Sequence, residues 1–187
     1  MHDETGPANS IGAHWGRWDS GSTTDEGGTH SITAANQFHY LYGPVTPPEV
    51  VAAKSGSFAM NLVGGTTPTN NNAEFGTFIA AALTVDFTAR TLTVPPVSIT
   101  GFTNQSWSFN GGTTPIRFAA GKGAFIEQIV SGSCTGSNCS VVGANLGQRG
   151  IFMGPNGDHL GIAFQARTIS GVSSTQTTKI FSCSPSC

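Results

Sequence analysis

Apolar and polar residues alternate along most of this chain with the period of two that is typical of β-strands. Between Ser57 and Val63 this pattern places Phe58, Met60 and Leu62 on one face, and Gly64-Gly65 ends the segment. A second strand is predicted from Gly76 to Phe87, and its apolar face consists of Ile79, Ala81, Leu83, Val85 and Phe87. The pattern therefore favours half-buried strands over helices.

Short turn sequences separate several of these segments and predict hairpins. Three hairpins are expected, namely Gly76–Phe87 with Leu92–Val94, Trp107–Phe109 with Ile116–Phe118 through Asn110-Gly111-Gly112, and Val141–Met153 with Asp158–Thr168. Pro95-Pro96 interrupts the first of them, because proline has no N–H to donate to a ladder. Helix is predicted only as a turn or two at Val50–Lys54.

The number of strands points to a closed sheet. With Ile11–Trp18 and Gln37–Tyr42 counted as early strands, the chain has roughly eight to ten strands in a meander, which is enough to close a barrel and remove its exposed edges. We predict an all-β fold, an antiparallel meander closing into a roughly eight-stranded barrel with little or no helix. A length of 187 residues suits one domain that covers residues 1–187.

Composition limits the partners of this domain. Charged residues make up 10% of the chain and the net charge is -2, so there is no basic field to attract nucleic acid. The longest apolar stretch is far too short for a transmembrane helix, and none is predicted. Disorder is the alternative that 25 Gly and 10 Pro suggest, but 12 Phe and 3 Trp provide the burial that a folded core needs.

The four cysteines form two local pairs, Cys134 with Cys139 and Cys183 with Cys187. Turn-forming residues lie between the members of each pair, which predicts two disulfides and an extracytoplasmic location in the periplasm, at the cell surface or outside the cell. A zinc site built from the four thiolates is the alternative, but neither pair has the usual two-residue spacing.

Residues that carry catalysis are hard to find in this sequence. The ten acidic residues are scattered, no nucleophile elbow is present, and the five histidines have no metal-binding spacing. Asp86 stands at a strand end beside a turn, where a carboxylate usually accepts local backbone N–H groups. No catalytic residue, no metal site and no cofactor is predicted, and the chain is expected not to be an enzyme.

Two aromatic clusters are the feature most suited to binding, 14–18 (HWGRW) and 38–42 (FHYLY). On strands, each cluster splits into two faces, so one row faces the core while the other is free to line a barrel mouth and bind a ligand. The candidate ligand-binding residues are His14, Trp15, Arg17, Trp18, His39, Tyr40 and Tyr42. Packing in the core is the alternative role for the same residues. Asn104-Gln105-Ser106 and Asn138-Cys139-Ser140 match glycosylation acceptors.

In their order, the segments 14–18, 38–46 and 83–87 resemble landmarks of the C-terminal β-barrel domain of bacterial FecR-domain-containing proteins. The later segments 105–109, 134–139, 150–154 and 160–164 fit the same pattern, so the resemblance covers nearly the whole chain. That domain is similar in turn to the eight-stranded barrels of transferrin-binding-protein-B-like surface lipoproteins and of secreted haemophores. The resemblance implies a binding module without catalysis, and no ligand residues are carried over from it.

Three functions follow as hypotheses. The first is a non-enzymatic extracytoplasmic barrel that binds a protein partner or supports surface display. The second is a small-ligand barrel for haem or an iron complex, with His14, His39, Tyr40 and Tyr42 as contacts. The third, a carbohydrate-active jelly roll, needs a carboxylate pair or a metal triad. A filled barrel interior favours the first hypothesis, and a lined cavity favours the second.

Overall fold

The structure, a computed structural model, describes residues 11–25, 27–119, 123–139, 143–171, 173–183 and 187. Within these residues there are 17 strands and one short helix. No helix in the described ranges is long and apolar enough to cross a bilayer. The chain divides into an N-terminal part of short strands and a large antiparallel sheet that contains 13 strands.

The N-terminal part contains two separate two-stranded sheets followed by the helix. Its elements are β1 (His14–Trp18), β2 (Gly21–Asp25), β3 (Gly28–Ile32), β4 (Phe38–Tyr42) and α1 (Pro48–Ala52). β1 pairs with β4, and β2 pairs with β3. We call the β1–β4 pair the ribbon. The helix starts at Pro48. Proline is tolerated there because an N–H group in the first turn of a helix has no acceptor within the helix. The helix buries Val51.

The large sheet contains the remaining strands. They are β5 (Ser57–Gly65), β6 (Thr69–Asn70), β7 (Thr77–Ala80), β8 (Leu83–Asp86), β9 (Thr91–Val94), β10 (Val97–Phe102), β11 (Gln105–Phe109), β12 (Gly112–Pro115), β13 (Arg117–Ala119), β14 (Gly123–Thr135), β15 (Ala144–Met153), β16 (His159–Thr168) and β17 (Ser174–Cys183). Their pairing fills eight positions around a barrel. Each of four positions consists of short strands that follow one another along the chain: β5 then β6, β7 then β8, β9 then β10, and β11 then β12 and β13. Each of the other four positions is a single long strand, β14, β15, β16 or β17.

The barrel closes where the last strand meets the first. The C-terminal half of β17 pairs with β5 and its N-terminal half pairs with β6, so both halves of the first position are bonded to the last. β6 in turn meets the start of the next position through the bridge between Thr69 and Phe75. The predicted all-β antiparallel meander of about eight barrel strands is therefore confirmed, and closure satisfies the sheet edges.

Side chains fill the barrel interior. The largest fully buried side chains include Trp107, Phe109, Phe152, Phe164 and Phe181. Along β16, Leu160, Ile162, Phe164 and Ala166 are all buried, whereas Ala163 and Gln165 face outward. The alternation read from the sequence therefore decides which residues enter the core.

Several local predictions are confirmed. The first hairpin is β7–β8 against β9–β10, with a break at Pro95-Pro96 between β9 and β10. The third hairpin is β15 against β16, and the predicted helical turn is α1. Residues 141 and 142, which the third hairpin was expected to include, lie outside the described residues. Asp86 accepts the N–H of Ala89 at 2.7 Å, in the predicted turn role.

The second predicted hairpin is wrong. β11 pairs with β10 and β14, while β12 pairs with β9, so the Asn110-Gly111-Gly112 segment joins two parts of one barrel position. The reversal falls earlier, between β10 and β11, where Phe102 pairs with Gln105. A segment rich in turn-forming residues does not reverse the chain when the strands before and after it pair with other strands and not with each other.

The predicted inward faces are wrong at three residues. Ile79 and Ala81 are exposed and Phe78 is buried instead, because the chain breaks between β7 and β8 and the alternation changes phase there. Leu62 is exposed next to the register shift in the pairing of β5 with β17.

The early strands were expected to belong to the barrel, and this expectation is also wrong. β1 and β4 form their own sheet, outside the barrel ladder. The expected cysteine pairs are joined as disulfides, Cys134–Cys139 and Cys183–Cys187, and this excludes the four-thiolate zinc site. In the described part of the chain, no group of three or more His, Cys, Asp or Glu residues is placed to hold a metal.

Candidate binding surface

The ribbon has two faces of different chemistry, and its register fixes them. Trp15 lies opposite Leu41 and Arg17 opposite His39, and these four side chains form the inner face, which packs against the outer wall of the barrel. The other face turns to solvent and carries His14 opposite Tyr42, Gly16 opposite Tyr40 and Trp18 opposite Phe38. The division into two aromatic faces follows the sequence prediction, although the inner face packs on the outer barrel wall and not inside a barrel.

The solvent face forms a continuous row of rings, which we call the aromatic row. Its members are His14, Trp18, Phe38, Tyr40 and Tyr42. Ring centroids lie 5.0 Å apart for His14 and Tyr42, 6.1 Å for Tyr40 and Tyr42, and 5.9 Å for Trp18 with either Phe38 or Tyr40. Contacts between neighbouring rings hold each of them in a defined orientation.

The aromatic row is also accessible. Phe38 is 47% exposed and Tyr42 is 59% exposed, although both are large aromatic residues. Large apolar side chains that are grouped and exposed mark interaction surfaces more often than scattered ones do. The row is therefore a candidate interaction surface.

The inner face of the ribbon fits glycines of the barrel wall. Trp15 lies over Gly64 of β5, where a Cβ atom would come within 2.6 Å of the indole ring. Leu41 covers Gly161 of β16 in the same way. Both contacts belong to a small buried cluster with Met153 and Ile180, separate from the main core. These contacts hold the aromatic row in a fixed position on the barrel.

His39 lies at the centre of the inner face. Its Nδ1 is 2.7 Å from the hydroxyl of Thr66, and its Nε2 is 2.7 Å from the hydroxyl of Thr69. Burial, with Arg17 and Lys179 nearby, lowers the pKa of His39 from 6.5 to about 3. His39 is therefore neutral under ordinary conditions, and both ring nitrogens are already occupied.

An open groove runs beside the ribbon on the outer wall of the barrel. It has a volume of about 650 Å³ and lies between Phe38–Leu41 of β4 and the outward side chains of β14 and β15. Small residues such as Ala163 and Gly147 form the floor of the groove and of its continuation. On its barrel side, Arg149 and Glu127 pair with each other at 2.9 Å. The groove extends the surface that the aromatic row offers.

The predicted site residues therefore divide into two groups. His14, Trp18, Tyr40 and Tyr42 come together in the aromatic row, whereas Trp15, Arg17 and His39 lie beneath the ribbon. None of the seven lines a barrel mouth, contrary to the expectation, because the ribbon lies outside the barrel. Arg17 stacks over Phe75, with the guanidinium carbon 4.4 Å from the ring centroid.

Sequence reasoning missed the groove residues Phe125, Glu127 and Arg149. Glu127 and Arg149 face one another because β14 and β15 pair in that register. Opposite charges at a cross-strand position provide a signal for this pair, but only after the register is known. Of the two glycosylation motifs, Asn104 and Asn138 are exposed and adjacent, since the Asn138 N–H donates to the Asn104 carbonyl. Ser140 lies outside the described residues.

These features define a class of protein, an eight-stranded antiparallel meander barrel with a two-stranded aromatic ribbon on its outer wall. No protein-family model matches the chain. No curated protein matches it either.

Among solved structures, the chain is similar to two alanine mutants of the vaccine antigen transferrin-binding protein B from Haemophilus parasuis Hp5. For the double mutant the sequence identity is 13% and the TM-score is 0.48, over 94% of this chain and 38% of the other. For the single mutant the identity is 12% and the TM-score is 0.43, over 88% and 32%. This chain thus spans well under half of those proteins. The part of the sequence resemblance that concerns FecR-domain proteins stays a prediction.

Proposed function

We propose that this chain is a single-domain, non-enzymatic, extracytoplasmic barrel whose aromatic row binds a partner protein. The observation that carries the proposal is the row of five contacting rings on a ribbon that is anchored to a rigid barrel. Tryptophan and tyrosine are the residues that most often dominate the binding energy of protein interfaces, because a rigid ring buries a large area at little entropic cost. The two disulfides support an oxidising, extracytoplasmic setting.

The filled interior supports a protein partner over a ligand held inside the barrel. Phe152, Phe164 and Phe181 occupy the space that an enclosed haem would need. His39, one of the expected haem contacts, has both ring nitrogens bonded to threonine hydroxyls. A haem titration tests the alternative directly, and we expect no shift of the Soret band.

The test uses a variant that removes exposed ring area from the aromatic row. Phe38→Ser combined with Tyr42→Ser acts at partly exposed positions, so the fold is expected to survive, and circular dichroism checks this. The matched control is Ile169→Ser, which changes a side chain that is 73% exposed and lies outside the row. Both proteins and the wild type are immobilised and incubated with an envelope extract from the source organism at several salt concentrations.

We expect the wild type and the control to retain a shared set of proteins that the double variant loses, as measured by quantitative mass spectrometry. Affinity for a purified member of that set should fall at least tenfold in the double variant, which corresponds to about 1.4 kcal/mol. Equal retention by all three proteins would contradict the proposed site, and retention of nothing by the wild type would contradict protein binding itself.

A further inference from the structure

The ribbon is attached to the barrel by side chains and not by a strand ladder. In the described part of the chain, β1 and β4 pair only with each other. Two barrel side chains donate to carbonyls at the ribbon, Gln176 to Gln37 at 2.8 Å and Thr178 to Tyr40 at 3.4 Å. An element held in this way can separate from its support without disrupting the barrel ladder.

His39 connects the ribbon to the corner between β5 and β6. It is 9% exposed, and its two ring nitrogens contact Thr66 and Thr69, one on each side of that corner. Thr66 is itself bonded to β17, since its hydroxyl accepts the N–H of Thr178 at 3.0 Å. The imidazole therefore links the ribbon directly to the corner between β5 and β6, and through Thr66 to β17.

Among the described residues, the charged groups that lower the pKa of this imidazole are cations. Arg17 lies directly opposite it in the ribbon register on β1, and Lys179 of β17 also lowers its pKa electrostatically. Lys179 donates to the carbonyl of Thr66 at 2.6 Å, next to the hydroxyl that His39 contacts. Glu74, the carboxylate of the loop after β6, accepts from Asn70 and from the Thr103 N–H.

Threonine hydroxyls can donate or accept, so Thr66 and Thr69 can bond either protonation state of the ring. Lys179 distinguishes the docked ribbon from the undocked one, because it stays with the barrel and repels an imidazolium but not a neutral imidazole, whereas Arg17 moves with the ribbon. Burial acts in the same direction. A proton on His39 is therefore compatible with the separated ribbon and opposed by the docked one.

We propose that the ribbon is an acid-released clasp, in which protonation of His39 undocks β1 and β4 from the barrel. The regulatory part of this proposal rests on the proposed function, because undocking removes the rigid support of the aromatic row and so releases its partner. The undocking itself is independent of any partner.

The direction and size of the effect follow from linkage. The pKa of His39 is about 3 in the docked state and 6.5 when the ring is free in water. The undocked state therefore binds more protons between these values, and docking is strongest above pH 6.5 and weakens as the pH falls toward 3. Between pH 7 and pH 5 the docking equilibrium constant is expected to fall by up to about 25-fold, and by less to the extent that Arg17 lowers the pKa of His39 in the undocked ribbon as well.

Hydrogen exchange measured by mass spectrometry tests the clasp on the full chain. Protection factors, corrected for the intrinsic pH dependence of exchange, are compared between pH 7 and pH 5. We expect protection of 13–18 and 38–42 to fall by up to about 25-fold where their exchange proceeds through undocking, while β14–β17 keep theirs. Ribbon protection that does not change with pH would overturn the proposal.

The decisive variant is His39→Gln, which keeps polar contacts with the threonines and cannot titrate. Its ribbon protection should be the same at both pH values, whereas His30→Gln, at an exposed position on β3, should behave as the wild type does. An acid response that survives in His39→Gln would overturn the proposal. If this variant does not fold, Lys179→Met serves instead, with the measurement extended to pH 3, where the docked pKa affects the response. Removing this cation should make the loss of ribbon protection between pH 7 and pH 3 smaller than in the wild type, and an equal loss would overturn the proposal.

A binding measurement separates the clasp from the proposed function. If the ribbon undocks in acid and a purified partner is released over the same pH range, both proposals stand. Undocking without any partner at either pH supports the clasp and contradicts protein binding. Partner binding that is retained at pH 5, with the ribbon undocked, contradicts the regulatory part.

Discussion

The ribbon and the barrel are built from similar sequence, yet they are stabilised in different ways. Trp107 and Phe109 on β11 alternate with serines, as Phe38, Tyr40 and Tyr42 on β4 alternate with other residues. In the barrel both aromatic side chains are buried, while the aromatic row of β4 remains on the solvent side. The difference lies in what surrounds each strand.

β11 has hydrogen-bonded neighbours on both sides, and its inward face meets the inward faces of the other barrel strands. β4 has only β1 as a strand partner in the described residues, and only its inner face meets the barrel wall. A closed ladder thus buries aromatic residues, while a ribbon on its surface leaves one row of them exposed to solvent. Four predictions test this division, and each is measured as a change in the free energy of unfolding or of ribbon docking.

The largest effect is expected in the barrel core. Phe164 is 1% exposed and packs on Phe78 at a centroid distance of 4.9 Å. Phe164→Ala should lower the free energy of unfolding by about 3–5 kcal/mol, because it leaves a cavity in a closed interior. Urea denaturation measures this. The control Ile129→Ala removes a side chain that is 73% exposed, and a similar loss in both variants would contradict the distinction between core and surface.

The next effect concerns the contact between ribbon and wall. Gly64→Val places a side chain against the indole of Trp15, so the ribbon must move away, and we expect docking to weaken by about 1–3 kcal/mol. Limited proteolysis should then cleave the ribbon while the barrel stays intact. Gly147→Ala is the matched control, since its Cβ would meet only the Gln165 carbonyl at 3.6 Å. A ribbon that resists protease in Gly64→Val would show that docking does not require the close contact of Trp15 with Gly64.

Removing one partner of His39 should have a smaller effect. Thr69→Val takes away the hydroxyl 2.7 Å from Nε2 and leaves a buried ring nitrogen without its bond. Ribbon docking should weaken by about 1–2 kcal/mol at pH 7. Hydrogen exchange of β1 and β4 measures this change. Thr93→Val, on the outer side of β9, is a control with the same chemical change at an exposed site. Equal protection in Thr69→Val and the wild type would refute the contribution of this bond.

The smallest effect is expected in the groove. Arg149 and Glu127 pair at 2.9 Å, but their side chains are 81% and 51% exposed. Glu127→Gln should change the free energy of unfolding by less than about 1 kcal/mol, since water and salt screen such pairs. The measurement is urea denaturation at low and high salt. A loss comparable to that of Phe164→Ala would mean that the groove belongs to the structural core.

Much of the fold could be predicted because alternation reports burial directly. The inward residues of β16, the break at Pro95-Pro96 and both cysteine pairs follow from local sequence and are confirmed. The errors at Ile79 and Ala81 arise where the pattern changes phase, because the break between β7 and β8 leaves no clear mark in a series of alternating residues. The Asn110-Gly111-Gly112 prediction failed since a turn sequence does not say which strands become neighbours.

The candidate site was predictable in part for the same reason. The sequence determined which aromatic residues share a face, because successive side chains on any strand point to opposite sides. It did not determine that β1 and β4 lie outside the barrel, because the same alternation also suits a strand within it. Only the tertiary structure decided this, through the fit of Trp15 over Gly64, of Leu41 over Gly161 and of His39 between two threonines, contacts between residues distant in the chain.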